Sequence, residues 1–114
     1  MSVPRKIQFH KHYFLDFYTK QVEEVRRKIN QVLKLVETQE HIPHKFFRSI
    51  ETVDGLFEIR VEMKSNIYRI FCCFDKGNIV VLFHGFQKKS QKTPIDQIVR
   101  AEKLMHEYFN AKEA

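Results

Sequence analysis

The sequence predicts an α+β fold: an antiparallel β-sheet of about four strands with an N-terminal helical hairpin and a C-terminal helix. Three observations predict it. Apolar residues recur at helical spacing in residues 12–37 and again in residues 95–109. Between these stretches lie three strand-length segments, LFEIRVE, NIYRIFCCF and NIVVLFHGF. The links between the three are too short for anything but hairpins.

The first element is RKIQF (5–9), which partly alternates and reads as a short strand. Tyr13, Phe14, Phe17 and Tyr18 then follow at i, i+1, i+4, i+5 and make one helical stripe. That spacing favours a core face over a base-stacking platform. Over 21–37, Val22, Val25, Ile29, Val32, Leu33 and Val36 share one face, opposite Glu24, Arg27, Gln31 and Lys34. The two helices join near Thr19 as a hairpin. Residues 40–55 read as a connector punctuated by Pro43 and Asp54-Gly55, with Phe46, Phe47 and Ile50 pinning it to the core.

Three strands follow, near 56–62, 66–75 and 78–87. LFEIRVE alternates, and NIYRIFCCF is apolar on both faces, as a central strand is. Asp75-Lys76-Gly77-Asn78 supplies the hairpin turn, with Gly77 suited to positive φ. Thr93 is placed to cap a final helix with Pro94 in its first turn. Ile95, Ile98, Ala101, Met105, Tyr108 and Phe109 form its stripe. All helices are expected on one face of the sheet, leaving the other partly open for binding.

The 114 residues suit one domain over 1–114, and 43% hydrophobic content argues for a packed fold. A net charge of +6 favours a polyanionic partner. No apolar run reaches membrane-span length, and the N-terminus has no signal-peptide core, so a cytoplasmic protein without a membrane partner is expected. Cys72 and Cys73 are adjacent and would point to opposite faces, so both are expected to be reduced. With no CxxC and no helical HxxxH, neither a metal site nor a cofactor is expected.

Charge concentrates in HGFQKKSQKTP (84–94). It holds His84, Lys88, Lys89, Ser90, Lys92 and Thr93, and no acidic residue lies between Asp75 and Asp96. The stretch is either a solvated turn or a phosphate site. Arg60 shares the polar face of its strand with Glu58 and Glu62, so it reads as a cross-strand ion pair or an anion ligand. Arg69 lies inside the central strand, where a charge is costly unless paired. It is a glutamate partner or an anion ligand.

GLFEIRV (55–61), NIYRIFCCF (66–74) and NIVVLFHGFQKKSQKTP (78–94) together resemble the RelE/HigB-type toxins of type II toxin–antitoxin systems, closest to the phage-derived HigB-like branch. The resemblance implies a toxin that is a ribosome-dependent endoribonuclease, cleaving mRNA without a metal. It also implies a cognate antitoxin, a helix-turn-helix HigA-like protein. Matched onto this chain, the catalytic candidates are Arg60, His84, Lys88 and Lys89, and the RNA-binding candidates are Arg69, Ser90 and Lys92. His84 reads equally well as a hydrogen-bonded structural histidine. The C-terminal catalytic tyrosine of some RelE-type toxins has no counterpart, because Tyr108 falls in the final helix. The alternatives are a gyrase-poisoning ParE-like toxin and a non-catalytic nucleic-acid-binding domain.

Overall fold

A computed structural model describes residues 4–89 and 92–113. The elements are β1 (Lys6–Phe9), α1 (Tyr13–Thr19), α2 (Glu23–Thr38), β2 (Phe47–Ser49), β3 (Phe57–Met63), β4 (Asn66–Asp75), β5 (Ile79–Lys88) and α3 (Ile95–Glu113). The α+β class, the three-strand meander, the helical pair and the final helix stand where the sequence patterns put them. The sheet has five strands rather than about four, in the order β1-β5-β4-β3-β2.

It is mixed, not purely antiparallel. β1 runs parallel to β5, with Lys6 opposite Ile79 and Phe9 opposite Leu82. That pairing joins segments about seventy residues apart, so no local pattern encodes its direction. β2 is the added strand. It is three residues drawn from the expected connector, pairing antiparallel with Phe57–Ile59.

The expectation of one covered face is corrected. α1 and α2 pack on one face, where Phe14, Phe17, Val25, Ile29, Val32 and Val36 meet Ile59, Val61, Ile70, Cys72, Val80 and Leu82. α3 packs on the other, where Ala101, Leu104, Met105 and Tyr108 meet Phe71, Cys73, Val81 and Phe83. The physical reason lies in β4 and β5. Each is apolar on both faces, and at roughly 25 cal/mol per Å² of buried apolar area neither face can be left to water.

Polar contacts tie α3 to the rest. The Tyr108 hydroxyl donates to Asp75 Oδ2 at 2.6 Å and accepts from Gln8 Nε2 at 3.0 Å, joining α3 to the β4–β5 turn and to β1. Lys112 Nζ also reaches Asp75, at 2.5 Å. Arg5 closes the C-terminus of α2, its guanidinium donating to the carbonyls of Val36, Gln39 and Glu40. The hairpin turn has left-handed backbone at Lys76 and Gly77. α3 starts at Ile95, just past Pro94, and the Thr93 hydroxyl lies 3.5 Å from Glu58 Oε1.

β5 carries a bulge. Ile70 pairs with Gly85 but Cys72 with Leu82, so Phe83 and His84 together oppose Phe71. Before the bulge the even-numbered residues Val80 and Leu82 face α1 and α2. Beyond it Phe86 packs on the α3 side and Gly85 turns toward Phe17. A Cβ at Gly85 would lie 2.6 Å from Phe17 Cδ2.

Two outcomes are expected. Gly85→Ala should lower the unfolding free energy by about 1–3 kcal/mol through overpacking, measured by denaturant melts; an unchanged midpoint would show that α1 is not seated on β5. Burial raises the Cys72 thiol well above its ordinary value and pushes Cys73 up to about 12. Both are free, on opposite faces of the sheet. Alkylation in native buffer should therefore be slow and should become fast on unfolding.

Candidate nucleic-acid interface

α3 covers its face of the sheet only over Phe71, Cys73, Val81 and Phe83. Toward the C-terminal ends of β3 and β5 the same face becomes polar. Arg48 stands opposite Glu58, Arg60 opposite Arg69, Arg69 opposite Phe86, and Lys88 opposite Ile67. The pairs run across four neighbouring strands, so Arg48, Glu58, Arg60, Arg69 and Lys88 share one face. The bulge puts Lys88 there. Unbroken alternation would have placed it with Val80 and Leu82.

Arg69 and Glu58 are the floor of this surface. Arg69 is 1% exposed and Glu58 7%. Arg69 Nε lies 2.7 Å from Glu58 Oε2, and Nη1 donates to the Tyr68 carbonyl at 3.1 Å. The 2.7 Å contact is ionic without hydrogen-bond alignment, since Nε–H has no acceptor along its own direction. Of the two readings open for Arg69, the ion pair is the one observed. Arg60 does not form its expected cross-strand ion pair: its partner across the ladder is Arg69, another cation.

The consequence is an unbalanced positive field. One buried carboxylate, Glu58, and the exposed Glu62 serve a face carrying three arginines and Lys88. Burial first, then Arg69, hold the Lys88 ammonium below its ordinary value; Arg60 and Arg48 add to this and Glu58 opposes it. Burial and the Arg60 charge likewise lower Arg69, which stays a cation at neutral pH.

The structure gathers Arg60, Arg69 and Lys88, and Lys89 follows as the next residue, exposed. It does not bring His84 to them. The sequence left His84 open as an acid/base candidate or a hydrogen-bonded structural histidine, and its surroundings match the second: it is 1% exposed, with its ring tilted against Phe71 and Phe86 beneath α3. Its Nε2 lies 2.8 Å from Gln97 Oε1. With an oxygen as partner Nε2 carries the proton, which leaves Nδ1 a buried lone pair without a donor. Burial holds its pKa down at about 4, with the Gln97 bond opposing and Arg100 assisting. His84 is therefore a neutral imidazole at physiological pH. Lys92 is exposed, and Ser90 lies outside the described residues. Arg48 escapes a reading of the sequence. Its signal is faint, one arginine in a Pro-punctuated connector, and only the β2 pairing shows its place.

Among the described residues no group of three His, Cys, Asp or Glu side chains is placed to hold a metal ion. Among the described residues no helix is long and apolar enough to cross a membrane.

Residues 16–106 match the family model described as "Phage derived protein Gp49-like (DUF891)". The chain belongs to the Gp49-like family. That family is part of toxin–antitoxin systems, within the RelE-like toxin superfamily, and membership implies an antitoxin partner. No curated protein matches the chain. Every residue of the cationic face falls inside the Gp49-like match.

The buried pair generates a stability prediction. Glu58→Ala should cost about 3–5 kcal/mol by leaving the Arg69 charge buried and unpaired. Replacing both partners (Glu58→Leu with Arg69→Met) should cost distinctly less. Equal losses in thermal or denaturant melts would show that packing, not charge pairing, holds this strand pair.

Proposed function

We propose that this Gp49-like chain is the toxin of a type II pair, in the phage-derived HigB-like branch. We further propose that it acts as a ribosome-dependent endoribonuclease on mRNA. The observation that carries the reading is the convergence of Arg48, Arg60 and Lys88 on one solvent-facing patch above the Arg69–Glu58 pair. Such a patch attracts a phosphodiester, and the Arg60 guanidinium offers a fork for two of its oxygens.

The chemistry follows from RNA itself. The 2′-oxygen forms a bond to the adjacent phosphorus and the P–O5′ bond breaks, giving a 2′,3′-cyclic phosphate and a 5′-hydroxyl. Lys88, as the free amine, takes the 2′-hydroxyl proton; its lowered pKa makes that form more accessible near neutrality. Arg60 stabilises the extra negative charge of the phosphorane, and the buried Arg69, paired with Glu58, supports the face from beneath. The leaving oxygen takes a proton from a second ammonium, for which the neighbouring Lys89 is the candidate. Lys92 extends the cationic segment along the strand. The antitoxin is a helix-turn-helix HigA-like protein, acidic or mixed in charge where it meets this surface.

The burial of His84 favours one rival, a non-catalytic nucleic-acid-binding domain, because it removes the only imidazole in the 84–94 segment from the cluster. Lys88 separates the two. Lys88→Ala should reduce message cleavage by about 10²–10⁴ with little change in melting temperature. Lys88→Arg should fail to restore it, since Arg does not deprotonate at working pH. The parent's rate should rise with pH and level off below the ordinary lysine value, the limb belonging to loss of the Lys88 proton. Lys88→Arg should lack that limb. Growth arrest on expression with intact RNA would support the binding rival, and arrest with loss of supercoiling would support a gyrase poison.

A further inference from the structure

β2 pairs with β3 only over residues 57–59, and the last bond across that edge is Arg60 N–H to the Phe46 carbonyl at 2.8 Å. Beyond it a cavity of about 210 Å³ opens, lined by Lys28, Lys45, Phe46, Arg60, Glu62 and Lys64. Four cations thus reach one cavity from four segments: α2, the connector, β3 and the β3–β4 turn. Left-handed backbone at Lys64 (φ 58°) forms that turn. Among the described residues Lys28, Lys45 and Arg60 make no ion pair. Lys64 reaches Glu24 only across 3.6 Å, both side chains being exposed, a pair too weak to hold it. Glu62 is the only carboxylate lining the space.

Mutual repulsion of four cations around a small cavity is relieved by an anion. Two further features say which. Arg60 belongs both to this cavity and to the face cluster, where its charge acts on Lys88 and Arg69. The two positive sites are therefore continuous around the sheet edge. The Phe46 ring forms one wall, with Lys45 Nζ 5.5 Å from its centroid. An aromatic wall beside clustered cations suits a nucleotide better than a bare ion.

We infer that this edge pocket binds a second phosphate of the same single RNA strand that crosses the Arg60–Lys88 face, with Phe46 against its ribose or base. A flexible strand can turn over the edge; duplex DNA, with a persistence length on the order of 150 bp, does not. The inference rests on the reading of the face cluster as an RNA site and adds where the strand leaves it.

The test uses the full chain and a 2′-O-methyl RNA 12-mer, which binds but cannot be cleaved, beside a trimer too short to span both sites. Lys28→Ala with Lys45→Ala should weaken 12-mer binding about tenfold. The log–log salt slope should become shallower by about 0.7 for each phosphate that the variant no longer neutralises. Trimer binding and melting temperature should stay at the parent's values. Lys88→Ala, which alters the face alone, should weaken both oligonucleotides. Unchanged 12-mer affinity and slope in the edge variant, with Lys88→Ala still impaired, would overturn the edge site and leave the face reading intact. Equal weakening for the trimer would also overturn it, since the two regions would then be one site. If Lys88→Ala binds like the parent while the edge variant does not, RNA binding belongs to the edge and the face reading fails.

Discussion

One extra residue in β5 sets the arrangement of the rest. Opposing Phe71 with both Phe83 and His84 shifts the strand's alternation by one. Upstream, the phase follows the meander and buries Val80 and Leu82 under the helical pair. Downstream, it presses Gly85 against Phe17, draws His84 under α3 and turns Lys88 to the face that bears Arg60 and Arg69. Glycine at 85 is then a steric requirement of α1 docking, not a turn signal. The bulge thus links how the N-terminal helices seat to where the cations gather.

The Arg69–Glu58 pair is the second constraint. A buried ion pair seldom adds much stability, because desolvation of both charges offsets their attraction. Its contribution here is to the field. Glu58 neutralises one arginine at the floor, and among the described residues no ion pair neutralises Arg60 or Lys88. The face therefore keeps its positive potential, and Lys88 titrates lower than an isolated lysine. The proposed phosphodiester chemistry rests on both properties, attraction for the anion and a nitrogen that can give up its proton.

Family and geometry constrain different things. Membership in the Gp49-like family places the chain in toxin–antitoxin systems and implies an antitoxin. The geometry bears on chemistry: a cationic face with a titration-shifted lysine, continuous with a cationic pocket at the β3 edge. α3 restricts the available surface to the end of one sheet face and the adjoining edge. The antitoxin partner that membership implies either covers that surface or binds elsewhere on the chain.

The sequence by itself determined the elements whose signals are local. Alternation in LFEIRVE, the two-sided apolar run of NIYRIFCCF, the turn at Lys76-Gly77 and the stripes of α2 and α3 depend on neighbours within a few residues, and the chain carries those in plain order. Arg69 was legible as a candidate because a charge inside a central strand is costly, Arg60 from its place on the polar face of an alternating strand, and Lys88 from the uncompensated charge of residues 84–94 and the family resemblance. Tertiary structure alone decided what depends on distant partners. The parallel pairing of β1 with β5 and the three-residue β2 rest on contacts across the sheet. Coverage of both faces follows from where α3 finds room, over the second apolar face of β4 and β5. The same holds for His84: the sequence left it open as a catalytic candidate or a structural histidine, and the cover of α3 makes it a buried neutral imidazole, because burial, not residue type, sets the free energy of its charged form. The match between Lys88 and Arg60 came last, since one unpaired residue in a strand leaves no local mark yet reverses every side chain beyond it.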